Sequence, residues 1–292
     1  MLLALATVYL VWGSTYFGIK LALEGYPPFL MAGMRFLGAG IALYAWLRLR
    51  GTPAPTRAQW RTTAVMGALL LGGGNGLVCL AETTVSSGMA AIAVASMPLW
   101  AGLFGWWYGR NPSRREWLGL VIGFAGVVLL NLQGELRGSP AGALALLLAP
   151  IAWAFGSMWS RGKPLPTPFM GTAAQMLAGG ALMLLIGALR GETLQAQPPL
   201  SATLALFYLA GFGSIAAFSA YVYLLDRVRP ALATSYAYVN PPIAVLLGVL
   251  LLGEQFTLAS SVAMAVILVG VVIITRAPVR PAVARPPASS PR

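Results

Sequence analysis

The sequence has no histidine and one cysteine, Cys79. It has seven acidic residues, and all charged residues together make up 9% of its 292 positions. Each shortage excludes something. Without histidine, a serine nucleophile lacks its usual base. A lone cysteine has no partner for a disulfide and makes no metal site. No stretch carries the paired carboxylates of an intramembrane protease, and no phosphate-binding loop for ATP is present. A soluble domain carries about 25% charged residues, so this composition excludes one. The expectations are no enzyme, no catalytic residues, no metal and no cofactor.

What fills the chain is apolar: hydrophobic residues make up 58% of it. A helix needs about 20 apolar residues to cross the hydrocarbon. Ten such stretches run near Leu2–Leu21, Phe29–Leu47, Thr62–Leu80, Ser87–Tyr108, Glu116–Leu132, Ala141–Ser160, Phe169–Leu189, Ala202–Leu225, Ala231–Leu252 and Leu258–Thr275. Turn and breaker signals separate them, among them Gly25-Tyr26-Pro27-Pro28, Arg110-Asn111-Pro112-Ser113, Lys163-Pro164-Leu165-Pro166 and Gln197-Pro198-Pro199. No basic stretch precedes Leu2 and no small-residue cleavage site follows, so the first span is expected to be retained. The segment 277–292 is rich in Pro, Ala, Ser and Arg and is expected to be a disordered, basic cytoplasmic tail.

The charges fix an orientation. Fifteen of the 19 basic residues fall in the termini and the even-numbered loops, from Arg48 and Arg50 to the four arginines from Arg276 onward. Lys20, Arg137 and Arg190 lie on the other side, and Arg35 lies inside the second span. The positive-inside rule then puts both termini in the cytoplasm of a cell with a bacterial inner membrane. The net charge of +12 is read as this signal and not as a nucleic-acid surface.

The chain also reads twice. At a shift of 144, Pro98 falls on Pro242, Gly109 on Gly253, Ser113 on Thr257 and Gly126 on Gly270. Trp12 falls on Trp153 at 141, and Arg35 on Gln175 at 140. The expected class is an all-α membrane protein of ten helices in two five-helix repeats, 1–134 and 135–276. Five is odd, so the second repeat enters the membrane upside down, the plan of many secondary transporters.

These residues resemble a family. Trp12-Gly13-Ser14-Thr15, Arg35, Pro98 and Gly126 in the first half, with Pro241-Pro242, Gly253-Glu254 and Gly270-Val271-Val272 in the second, are similar to ten-helix members of the drug/metabolite transporter superfamily, EamA type. The resemblance covers nearly all of residues 1 to 276. Gly253-Glu254 becomes Gly109-Arg110 in the first copy, a departure from the acid often kept there. The resemblance implies a secondary transporter that exports small metabolites or toxic compounds from bacteria. Amino acids are the nearest class, aromatic ones included. Its expected partners are a small-molecule substrate and the lipid bilayer, with no nucleic acid, and its expected state is a monomer. A proton-coupled multidrug antiporter and a channel stand as alternatives.

Glycines, prolines and aromatics single out spans 1, 3, 4, 6, 8 and 9 as the walls of a central cavity, with spans 2, 5, 7 and 10 as scaffold. The candidate substrate-binding residues are Trp12, Ser14, Tyr16, Asn75, Cys79, Trp100, Trp153, Phe218, Tyr238 and Asn240. Pro98, Pro241 and Pro242 are candidate kinks, because proline removes a backbone donor and frees a carbonyl one turn earlier. The run Gly72-Gly73-Gly74-Asn75-Gly76 allows two readings, close helix packing or a bent helix open to the cavity. Arg35 also allows two, a contact for a substrate carboxylate or a structural side chain that snorkels; the structural one is favoured. Glu82 is read as a solvated acid at a helix end. No acid then stands in mid-membrane, and transport is expected to run without a proton gradient.

Overall fold

A computed structural model describes residues 1–108, 113–132, 139–194, 196–225 and 236–276, with all their side chains but those of Asn131, Val222, Leu225, Tyr238 and Thr275. Every regular element among them is helical. The helices are α1 (Leu2–Ala22), α2 (Pro28–Leu49), α3 (Arg57–Glu82), α4 (Ser87–Trp107), α5 (Arg114–Asn131), α6 (Pro140–Trp159) and α7 (Pro168–Leu189). Then follow α8 (Leu200–Tyr208, Leu209–Ala216 and Ala217–Leu225 end to end), α9 (Tyr236–Leu252) and α10 (Leu258–Thr275).

Seven of these, α1 to α4 and α6 to α8, are long and apolar enough to cross a bilayer. Shorter apolar stretches in α9 and α10, Val239–Leu252 and Leu258–Ile274, add two more. The tenth, α5, carries Arg114, Arg115 and Glu116 in its first turn. The expected ninth span began at Ala231; residues 226–235 lie outside the described ones, as do the tail 277–292 and the turn 109–112. The third span is longer than expected and runs from Arg57 to Glu82 rather than from Thr62 to Leu80.

The helix ends follow local chemistry. Pro28, Pro140 and Pro168 open α2, α6 and α7, where a missing N–H costs nothing. Thr56, Ser86, Ser113, Ser139 and Thr257 each accept a backbone N–H three residues on. Gly191 (φ 70°) and Gly253 (φ 64°) turn the chain after α7 and α9 in the left-handed region that favours glycine. Each is followed by a glutamate that reaches into the other half of the chain. Glu192 Oε2 accepts from the backbone N–H of Phe29 (3.0 Å) and Leu30 (2.9 Å) at the start of α2. Glu254 accepts from Ser87 N–H (2.8 Å), Ser87 Oγ–H (2.9 Å) and Gly88 N–H (3.2 Å) at the start of α4. A carboxylate is favoured at a helix N-terminus, where donors are unpaired and the dipole is positive.

Two seams are lined by glycine. In the α2–α7 seam, a Cβ built on Gly180 would stand 2.5 Å from Leu37 N, and one on Gly40 2.9 Å from Leu177 N. In the α5–α10 seam, a Cβ on Gly270 would stand 2.5 Å from Gly123 Cα. Only hydrogen fits at these points, so the backbones touch. Elsewhere α1 packs against α8 and α9, and α6 against α3 and α4. Exchanging helices 1 to 5 with 6 to 10 carries this pattern of neighbours onto itself. The outer faces of α5 and α10 expose Val121, Val128, Val262 and Val269, as suits helices with one side in lipid.

The third helix of each half changes its winding at the same place. Gly67–Gly76 in α3 and Leu209–Ala216 in α8 are π-helical. A π turn is wider than an α turn and is found mostly as single bulges near functional sites; two long segments are unusual. Both are rich in glycine, the residue whose α-helical preference is weak. Helix α4 is interrupted at Ala95-Ser96, with Pro98 in the first turn of its second part. Pro241 and Pro242 lie inside α9 without ending it.

Candidate functional site

A cavity opens between the two halves and encloses about 830 Å³ of atom-free space, its open end included. Helix α1 gives it Trp12, Thr15, Tyr16 and Ile19, spaced as one helical stripe. Helix α3 gives Gly74, Asn75 and Val78, α4 gives Val94, Ala95 and Met97 around its break, and α6 gives Pro150 and Trp153. Phe218 comes from α8, and Tyr236, Asn240 and Pro241 come from α9. Helix α2, expected to be scaffold but for the open reading of Arg35, contributes that residue.

The π segments carry the walls. The Trp12 indole N–H donates to Gly213 O (3.1 Å) in the α8 segment. The Arg35 Nε–H donates to Ser214 Oγ in the same segment (2.9 Å). A Cβ on Gly213 would stand 3.1 Å from Arg35 Nη2, so glycine makes room for the guanidinium. In the other half, a Cβ on Gly74 would stand 2.6 Å from Trp153 Cε3. Each of the two matched tryptophans therefore rests on the π segment of the opposite half. Close packing and cavity lining both hold for the run 72–76.

One end of the cavity is an aromatic box. Trp12 meets Phe218 (centroids 5.1 Å apart), Tyr221 (5.2 Å) and Tyr236 (4.8 Å). Such pairs add about 0.5–1.5 kcal/mol each beyond burial. The polar groups are few. Arg35 is 3% exposed, with its guanidinium 4.5 Å from the Phe36 ring centroid. Its Nη1 is buried with no hydrogen-bond partner among the described residues, and so is Oδ1 of Asn240. A free donor on a cation and a free acceptor thus belong to the walls of one cavity.

Trp12, Tyr16, Asn75, Trp153, Phe218 and Asn240 come together here, with Pro241 beside them. Ser14 does not: it lies off the α1 stripe, and its hydroxyl bonds Leu10 O (2.8 Å) and the Tyr208 hydroxyl (2.6 Å). Cys79 is fully buried in the main core cluster. Trp100 turns away to pack on Phe124 of α5 (4.7 Å, 75°). Pro98 and Pro242 shape their helices without lining the cavity, and Tyr238 has no described side chain. The reading of Arg35 as structural is incomplete, since it both ties α2 to α8 and lines the cavity. The reading of Glu82 as solvated is wrong: it is fully buried, because the last turn of α3 is covered by α1, α2, α4 and α6.

Comparison with known proteins places this architecture. The sequence model of the EamA-like transporter family matches residues 1–132 and residues 140–276, one stretch in each half. The chain is 47% identical over 273 residues to the "uncharacterized inner membrane transporter YedA" of Escherichia coli K12, covering 93% of this chain and 89% of that one. It is 28% identical over 254 residues to the "uncharacterized transporter YdfC" of Bacillus subtilis, covering 86% and 82%. A solved crystal structure at 24% identity superimposes with a TM-score of 0.64, covering 94% of this chain and 96% of the other; it shares the fold. The chain belongs to the EamA-like transporter family and is a multi-pass inner-membrane transporter of small molecules.

Proposed function

We propose that this protein exports a small zwitterionic metabolite, an amino acid with a flat apolar body, by alternating access of two inverted halves. The observation that carries the reading is the cavity of Trp12, Phe218 and Tyr236 with the unpartnered Nη1 of Arg35 and Oδ1 of Asn240. Arg35 presents a donor for a carboxylate, Asn240 an acceptor for an ammonium, and the aromatic rings a stacking surface. A guanidinium repels cations, which disfavours a site for cationic drugs. Support for the inverted arrangement comes from the self-matching pattern of helix neighbours and the paired π segments.

Two measurements test the proposal. Proteoliposomes preloaded with unlabelled phenylalanine should show saturable counterflow of labelled phenylalanine and no uptake of tetraphenylphosphonium. Linear, unsaturable flux would make the protein a channel, and uptake of the cation alone would make it a drug carrier. For orientation, cysteines introduced at exposed Gln255 and Arg161 should differ in whole cells: an impermeant maleimide should label position 255 and spare position 161. The reverse pattern would invert the assigned topology.

A further inference from the structure

We infer that Glu82 is the proton-carrying site of this transporter, with Lys20 as the cation that takes the proton's place when the carboxyl ionises. The inference rests on the transport reading above and names its coupling ion. Glu82 is the last residue of α3, and none of its surface reaches solvent. Neither carboxyl oxygen has a hydrogen-bond partner among the described residues. A buried carboxylate with no donor is far costlier than a neutral acid, so this arrangement holds the proton. The other described acids differ: Glu24 is exposed, Glu192 and Glu254 are bound to backbone N–H groups, and Glu116 closes the cap of α5.

The position connects it to the cavity. Asn75 and Val78 line the cavity, and Glu82 lies one turn beyond Val78 on the same face of α3. Tyr16 and Ile19 line it from α1, and Lys20 lies one turn beyond Tyr16. Lys20 Nζ now donates to the carbonyls of Glu82 (2.7 Å) and Val85 (3.0 Å). The ammonium therefore already stands at the residue it would neutralise. The groups facing this carboxyl are few. From α1 they are Lys20 and Tyr16; from α2, Arg35; from its own helix, Cys79; from the turn after α9, Glu254. The packed parts of α4 and α6 carry no titratable residue.

The step balances simply. One proton from water binds a Glu82 oxygen in one state of the carrier and gives the neutral acid that this burial favours. In the alternate state the proton returns to water on the other side, and the Lys20 ammonium turns from the two carbonyls to the carboxylate. One proton moves inward for each solute that moves outward.

The test uses the full-length protein in lipid. With no solute present, infrared difference spectra between acid and alkaline buffer should show one protonated-carboxyl stretch that is absent in Glu82→Gln. In proteoliposomes with acid inside, alkaline buffer outside and the membrane potential held at zero by valinomycin with equal potassium on both sides, a one-unit pH step should concentrate labelled phenylalanine inside about tenfold, the ratio that one exchanged proton sustains. Glu82→Gln should abolish this accumulation and keep counterflow at equal pH. If the carboxyl band survives Glu82→Gln, or the variant still accumulates solute, the inference falls. Loss of equal-pH counterflow with an unchanged melting temperature overturns it too, since coupling alone leaves exchange intact. Should Glu82→Gln fail to fold, Lys20→Met decides: the band should persist into more alkaline buffer, and an unchanged titration overturns the pairing. Wild-type protein with the band but no counterflow would instead sink the phenylalanine reading and leave the proton site standing.

Discussion

Arg35→Gln should raise the phenylalanine concentration for half-maximal counterflow by about ten- to a hundredfold. That is the range expected for losing a hydrogen bond to a charged partner, about 1.5–3 kcal/mol. The side chain is nearly isosteric in its first carbons, and Gln can still reach Ser214 Oγ on α8. A structural defect and a binding defect separate by substrate. Phenylalaninamide has no carboxylate and carries a cationic amine that the guanidinium repels, so its weak transport should not fall in the variant and should rise if anything. If Arg35→Gln lowers transport of the amide and of the acid by the same factor, Arg35 is only a tie between α2 and α8. A cost of at least about 2.5–3.5 kcal/mol for a cation at mid-membrane argues against that simpler role. A neutral tie to Ser214 would serve packing without the charge.

Gly180→Val should be among the most damaging single changes outside the cavity. The new Cβ would sit 2.5 Å from Leu37 N and 2.9 Å from Leu37 Cα. Backbone cannot rotate away as a side chain can, so α7 must part from α2 along the whole seam. A loss of about 4 kcal/mol or more follows, the size reserved for overpacked cores, and no monodisperse protein should be recovered. Gly38→Ala is the control: a Cβ there meets nothing within 4 Å. A thermal melt should leave Gly38→Ala at the wild-type midpoint. Recovery of Gly180→Val with an unshifted midpoint would show that the seam is looser than drawn.

Much of this was readable along the chain, because the signals are local. Ten apolar stretches, proline at helix starts and glycine at their ends are written in consecutive residues. The stripe Trp12, Tyr16 also followed from helical spacing, and that spacing excludes Ser14 from it. What escaped depends on partners far away in sequence. Counting residues puts Arg35 about 10 Å deep, but not which way it faces; Ser214, 179 residues on, decides that. Glu82 looked like an ordinary acid at a helix end, and only the covering by α1 and α6 makes it buried. The carboxylate caps of Glu192 and Glu254 join residues more than 160 positions apart. The π segments left only a glycine-rich signature, which the close-packing reading explained equally well. Tyr236, which was not among the candidate residues, closes the aromatic box on Trp12.

The two glycine seams have a mechanical consequence. Ordinary helices lock by ridges seated in grooves, and to slide they must lift one row of side chains over the next. Where Gly180 meets Leu37 and Gly270 meets Gly123, backbone lies on backbone, and in the same seams Leu184 seats over Gly33 and Ile274 over Gly119. Both seams join one half of the chain to the other. They form a pair of clamps: each resists separation, as the cost of Gly180→Val measures, and the side chains seated over glycine resist sliding as well.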